Sequence, residues 1–280
     1  MKLGFLTALA MTAFAANSVL NRVAVGGGHA GAMDFAVIRL AAGAAVLVAI
    51  ASARDGARWF GAVRAVNVGA LTLYMLCLSL AYLALPAGAG ALILFAAVQV
   101  TMFSAAVAGG DAIPGRRWAG AGLALAGLAL MLLPGTGSLP LGAGAVMALA
   151  GIGWGIYSLR GQAGGPPLDT TAASFVGALP LAGIAWIVTG IAPMDGTGLA
   201  LALISGALTS GLGYALWYSV VAALGASRAA LAQLTVPVIA VAGGVVLLGE
   251  ALTARLFLSS ALVVGGVAFG LAPLRSNRRG

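Results

Sequence analysis

The sequence predicts an all-α, polytopic membrane protein: ten transmembrane helices arranged as two inverted five-helix repeats. Three observations carry that expectation. Hydrophobic residues make up 62% of the 280 positions and charged residues only 7%, far below the roughly 25% charge of soluble domains. The apolar residues fall into ten stretches near the length a bilayer demands. The second half of the chain also echoes the first, with an odd number of stretches in each copy.

A helix advances about 1.5 Å per residue, so about 20 mostly apolar residues cross a hydrocarbon core of about 30 Å. Glycine, proline and charge punctuate such spans. The first runs over 4–24, behind Lys2. Its "AFAA" at 13–16 also imitates a signal-peptide cleavage site, but the apolar run continues past it and has a later counterpart, which favours a retained helix. The second, 32–52, ends at "ARDGAR", and the third, 64–85, at "LPAGAG". The fourth, 88–108, is followed by "GDAIPGRR" and the fifth, 117–134, by "PGTGSLP". The sixth, 140–160, gives way to "GGPPLD", the seventh, 170–190, to "APMDGTG" and the eighth, 198–222, to "LGASR". The ninth and tenth cover 227–248 and 254–273.

A net charge of +8 would suggest nucleic acid in a soluble protein. In a membrane protein it anchors loops to the cytoplasm. With the N-terminus inside, Lys2, Arg54, Arg58, Arg64, Arg116, Arg117, Arg160, Arg228, Arg275, Arg278 and Arg279 all fall on the cytoplasmic side. Only Arg22, Arg39 and Arg255 do not. Both termini are therefore expected in the cytoplasm and the protein in the inner membrane, with no nucleic-acid partner. Cys77 stands alone, so neither an intrachain disulfide nor a cysteine-cluster metal site is available.

The repeat is clearest where "GDAIPGR" (110–116) returns as "GEALTAR" (249–255), an offset of 139 residues. Gly110, Ala112, Arg116, Leu123, Gly127, Ala129, Leu132 and Pro134 all recur at that offset. "GALT" occurs at 69–72 and 206–209, and "FAANS" (14–18) aligns with "WGIYS" (154–158). Residues 1–135 and 136–280 thus read as two copies. A copy that begins after five crossings enters from the opposite face, so the halves are inverted. That plan recurs in secondary transporters, with the site near the midplane between halves.

"GEALTARLFLSSALVVGGVAFGLAP" resembles the end of an EamA domain, where Gly-Glu and a following Thr precede a glycine-bearing last helix. "GDAIPGRRWAGAGLALAGLALMLLP" is a looser version, with Asp111 for the acid and Pro114 for the Thr. Two such domains characterise the EamA branch of the drug/metabolite transporter superfamily. The resemblance covers nearly the whole chain and implies an exporter of amino acids or other metabolites. Aromatic amino acid exporters of the YddG type have a similar layout.

Candidate cavity residues follow from helical spacing. Phe14, Asn17, Ser18 and Asn21 share one face of the first span, and Trp154, Tyr157, Ser158 and Gly161 repeat it in the sixth. Polar side chains are costly in hydrocarbon and should point into the bundle, either lining a cavity or bonding helix to helix. The third span offers Tyr74, Met75, Ser79 and Tyr82, and the eighth Tyr214, Trp217 and Tyr218. Gln99 and Gln233 are amides that both donate and accept. Pro237 removes the bond to the carbonyl of Gln233 and should kink the ninth span, a candidate hinge. Arg39 either snorkels outward, pairs with a carboxylate such as Asp34, or meets an anionic group of the substrate. Asp111 and Glu250 are expected to serve the N-termini of the helices that follow them. His29 is expected in an exposed loop.

No phosphate-binding Gly-x4-Gly-Lys-Ser/Thr run exists, which argues against direct ATP driving. Serine catalysis wants a nearby base, and His29 is the only histidine. The expectation is therefore a carrier, neither an enzyme nor dependent on a cofactor or metal, with a small molecule as substrate and lipid as surroundings. A passive channel remains the alternative, and the oligomeric state is open: Gly120, Gly127, Gly265 and Gly266 allow close packing either within the chain or between copies.

Overall fold

In a computed structural model, residues 2–110, 114–133, 139–161, 166–224 and 232–271 are described. Among them the chain is helical, without strands. Ten helices follow in order: α1 (Lys2–Asn21), α2 (Ala32–Asp55), α3 (Ala65–Ala81), α4 (Ala87–Ala108), α5 (Gly115–Leu132), α6 (Leu141–Gly161), α7 (Pro167–Thr189), α8 (Gly196–Leu224), α9 (Thr235–Leu248) and α10 (Ala254–Leu271). Six apolar stretches within them, extended in one case by the turns after α1, are long enough to cross a bilayer. Val188 and Val246, each 79% exposed, lie on the outside of the bundle, where a membrane supplies the apolar neighbours.

Two helices depart from α geometry. α1 continues into π-helical turns at Arg22–Gly26, and α8 is π-helical through Ser205–Leu212 between α-helical pieces at Gly196–Ile204 and Gly213–Leu224. Single π turns inside helices gather at functional sites because they re-aim side chains. Both lie where the first half of the chain meets the second.

Two boundaries differ from the sequence expectation. The third span stops at Ala81 rather than running to residue 85, because Pro86 forms the N-cap of α4 and the residue before a proline is pushed out of the α region. The ninth is broken at Leu234: residues 232–233 are helical, and α9 restarts at Thr235 with Pro237 in its first turn. Proline's missing N–H costs nothing in a first turn, so the break moved to where the ring could be tolerated.

Packing follows a regular scheme. α5 lies along α10, α4 along α9 and α2 along α7; α3 packs on α6 as α1 packs on α8; α4 packs on α6 as α1 packs on α9. Each of these pairs maps onto another, or onto itself, when every helix is exchanged with the one five further along.

Glycine sets the close approaches. A Cβ on Gly127 would meet the Ser259 carbonyl at 2.9 Å, and one on Gly120 the Gly266 carbonyl at 2.5 Å. Gly120, Gly127 and Gly266 are thus consumed inside the α5–α10 contact, while Gly265 faces open space. The same device assembles the centre. In α6, Gly151 lies against Ala97 and Leu94 of α4, Gly155 against Thr101 of α4, and Gly153 against Ala70 and Tyr74 of α3. Three glycines on alternate positions let α6 sink between α3 and α4, which carries Trp154 into the middle of the bundle.

Candidate substrate cavity

Trp154 is the hub of an aromatic cluster. Its ring centroid lies 5.0 Å from Tyr74, 5.1 Å from Tyr214, 5.7 Å from Tyr157 and 5.9 Å from Phe14. Phe14 in turn packs edge-on against Tyr214 and Trp217, and Phe175 against Tyr214. Five helices from both halves contribute rings. Beside them a narrow cavity of about 20 Å³ is lined by Phe14, Asn17, Ser18, Tyr74, Leu78, Leu94, Phe95, Trp154 and Tyr214. That is room for a water molecule, so a larger solute enters only when the surrounding rings move apart.

The polar floor of this cavity is a set of bonds between α1 and the π-helical part of α8. Asn17 Oδ1 accepts from the hydroxyls of Ser205, at 2.8 Å, and of Thr209, while Asn17 Nδ2 donates to the Thr209 carbonyl at 3.4 Å. All three residues are buried. Asn17 has therefore spent its side chain on the opposite half of the chain. Next along the same face, Asn21 accepts from Ser79 at 3.0 Å.

Arg39 lies behind Tyr74 and is fully buried. It neither snorkels outward nor pairs with Asp34. Its Nε donates to Ser210 at 3.1 Å and its Nη2 to the Tyr74 hydroxyl at 3.3 Å. Asp34 instead accepts from the Trp186 indole at 2.8 Å and from the Ala192 N–H at 3.3 Å. Asp34 lies at the mouth of α2 and Arg39 more than a turn deeper, so each carboxylate oxygen is taken by donors from α7 and the segment after it.

The other expected site residues divide. Tyr157 is buried against Trp154, with its hydroxyl donating to Thr171 at 3.3 Å. Tyr82 is buried, its ring against Gly90 and its hydroxyl donating to the Ala87 carbonyl at 3.4 Å. Trp217 touches Phe14 behind the cavity wall. Met75 is core, and Ser79 is engaged with Asn21. Gln99 is not on this cavity. It lines a second one of about 60 Å³ between α4, α5 and α10, with Phe103, Arg117 and Gly120. Ser158 and Gln233 are half-buried and outside both linings. Helical register alone could not tell these apart, because the bundle has two inward directions at α4. The side chain of Tyr218 and all of Asp111 lie outside the described residues, and Gly161 brings no side chain to a cavity. Sequence reading passed over Ser205, Thr209 and Ser210, whose isolated hydroxyls look like ordinary helix content until π geometry aims them at α1 and α2. It also passed over Asp169, Thr170, Thr171 and Ser174, all buried near the start of α7.

At one end of the bundle, polar contacts tie the two halves together. The "GEALTAR" stretch explains itself here. Gly249 takes a left-handed φ of 65° that ends α9. Glu250 then turns back to accept from the N–H groups of Ala87 at 2.7 Å and Gly88 at 3.4 Å, capping α4 rather than the α10 that follows it. Carboxylates suit helix N-termini because the free N–H groups and the dipole both favour them. The α10 N-terminus is capped by Thr253, which accepts from Leu256 at 3.1 Å. Arg22 approaches Glu250 at 3.9 Å and donates to the Tyr82 carbonyl at 3.3 Å.

At the same end His29 meets Asp195 at 2.7 Å. Asp195 also caps α8 by accepting from Gly198 at 2.7 Å. The His29 ring first, and the Gly198 N–H second, hold the Asp195 carboxyl below the usual carboxylate range. A depressed folded-state value means the contact contributes at every pH above the unfolded value near 3.9 and fades as pH falls through the folded one. Asp195→Asn is therefore expected to lower the thermal midpoint slightly at pH 6, with the gap from wild type closing as pH falls below the ordinary carboxylate range. A gap that persists unchanged at low pH would mean the carboxylate is irrelevant.

Residues 142–271 match the EamA-like transporter family, covering most of α6 to α10. A relative from Pseudomonas aeruginosa, an uncharacterized protein, is 44% identical over 277 residues, spanning 96% of this chain and 94% of its own. The chain belongs to the EamA-like transporter family. A crystal structure only 19% identical shares this EamA fold, with a TM-score of 0.68 over 94% of each chain. This EamA-like transporter is thus a multi-pass membrane protein of a small-molecule transporter family, as the resemblance of "GEALTARLFLSSALVVGGVAFGLAP" implied.

Proposed function

We propose that this transporter exports small metabolites, neutral and aromatic amino acids above all, by alternating access. The observation that carries the reading is the aromatic cavity shared between halves: Phe14 and Tyr74 come from one, Trp154 and Tyr214 from the other. A wall contributed by both halves can open toward either side when they tilt. The packing scheme, which maps onto itself when each helix is exchanged with the one five further on, supports two inverted copies at 1–135 and 136–280. The distribution of Arg and Lys supports an inner-membrane orientation with both termini cytoplasmic.

Under that orientation the end tied by Glu250, Arg22, His29 and Asp195 is the external one, and its contacts between halves act as the gate that breaks on outward opening. The helix break at Leu234 ahead of Pro237 serves as a hinge on the cytoplasmic side.

Purified protein in liposomes is expected to carry phenylalanine or tryptophan with saturable kinetics. No flux of any amino acid under any gradient sinks the amino acid reading, and flux that never saturates turns the carrier into a channel. In a Cys77→Ser background, single cysteines beside Arg116 and beside Arg255 are expected to react with an impermeant thiol reagent from opposite sides of the membrane. Reaction from the same side removes the inverted repeat.

A further inference from the structure

A buried guanidinium without a carboxylate is the least balanced feature of this molecule. Arg39 is the eighth residue of α2, about 10 Å down the helix from its start, and is fully buried. A guanidinium keeps its charge across all physiological pH, and an unpaired ion in a low-dielectric interior is costly. Asp34 is engaged with Trp186 and Ala192, Asp195 with His29 and Gly198, and Glu250 with Arg22 and the start of α4, while Asp169, buried near the start of α7, makes no ion pair with Arg39. Neither ion pair among the described residues involves Arg39. Its two hydrogen bonds go to neutral hydroxyls, Ser210 and Tyr74, and Nη1 has no hydrogen-bond partner among the described residues.

What surrounds Arg39 connects it to the cavity. The Tyr74 ring stands between, 5.6 Å from the guanidinium carbon on one side and 5.0 Å from Trp154 on the other. Tyr74 is itself cavity wall, and the lining contains no acidic residue. Asn17 Oδ1, the strongest acceptor in the lining, already takes two hydroxyl protons. The cavity can thus draw on one positive charge and offers no negative one.

We propose that Arg39 is the anion subsite of the central cavity, and that the carried solute presents a carboxylate to it while its apolar body lies among Phe14, Trp154 and Tyr214. The inference rests on the central cavity being the transport site, and it deepens that reading by ranking the solute's groups. The carboxylate is required and an ammonium group is dispensable. A 3.3 Å bond to a neutral phenol is readily exchanged for a charge-assisted one, so a rotation of Tyr74 both admits the carboxylate and frees Nη2 for a two-point contact.

The test uses three matched probes on detergent-purified full-length protein, read by tryptophan fluorescence: phenylalanine, 3-phenylpropionate and 2-phenylethylamine. Both acids are expected to bind, and the amine at least about 30-fold more weakly, the size of one buried charge-assisted contact. Arg39→Gln is expected to weaken both acids by a similar factor and leave the amine unchanged, with Arg39→Lys between the two. Should Arg39→Gln fail to fold, the wild-type ranking and Arg39→Lys decide. Binding of 3-phenylpropionate without phenylalanine keeps the anion subsite and removes the amino acid reading. Phenylalanine binding that ignores Arg39→Gln does the reverse. Equal affinity for the amine, or no binding of either acid, overturns the subsite.

Discussion

Gly153→Val is expected to abolish transport and to strip most folded protein from the membrane. A Cβ at Gly153 would sit 2.7 Å from the Ala70 carbonyl oxygen and 2.8 Å from the Tyr74 nitrogen. Both are backbone atoms of α3, so no side chain can swing aside and the whole helix must retreat. Overpacking usually costs about 1–3 kcal/mol when neighbours can adjust. Here the cost lies at or beyond the upper end, and Tyr74 moves away from Trp154 as α3 does. Gly183→Val is the control, because a Cβ there meets nothing within 4 Å. Thermal unfolding and flux measured side by side check the pair. Wild-type flux from Gly153→Val would show that α3 and α6 need not touch in the working cycle.

Asn17→Leu is expected to reduce flux at least about tenfold and to destabilise the protein by about 1–3 kcal/mol, the cost of leaving buried polar groups unsatisfied. The reason is asymmetry: the Ser205 hydroxyl loses its only hydrogen bond among the described residues, whereas the Thr209 hydroxyl keeps the Ser205 carbonyl as an acceptor at 2.9 Å. The triple variant Asn17→Leu, Ser205→Ala, Thr209→Val should regain stability, since no polar group is then stranded, but not transport, since the polar link between α1 and α8 is gone. Recovery of both together would demote that link to a structural bond.

These predictions concern contacts of different legibility. The ten spans could be read directly, because a hydrocarbon core imposes a length and a composition on any helix that crosses it. The inward direction of Asn17 and Ser18 was legible too, since a polar side chain in mid-span is costly in hydrocarbon. Facing inward was not enough for Gln99, which reached a second cavity, or for Ser158, which reached neither. Helical register gives a direction relative to one helix, and the destination depends on which neighbours lie there.

Glu250 shows the same limit in charge chemistry. Its type and its place in a turn marked it as a capping carboxylate, but the N-terminus it caps belongs to α4, far away in sequence. Arg39 is the sharper case. Asp34 lies five residues earlier on the same helix and was the natural partner in one dimension. Its oxygens are claimed by Trp186 and Ala192 from the other half of the chain, so the guanidinium is left to neutral hydroxyls.

Taken alone, the order of residues determined the solvent and the helix count, and its recurring stretch at a fixed offset raised the expectation of two related halves. Those properties are sums over local composition and need no partner. Only the tertiary structure decided which inward-facing groups share a cavity, which carboxylate meets which donor, and that Arg39 meets no carboxylate among the described residues. Each of those outcomes depends on distances between helices far apart in sequence, and such distances are set by glycines that allow backbones to touch.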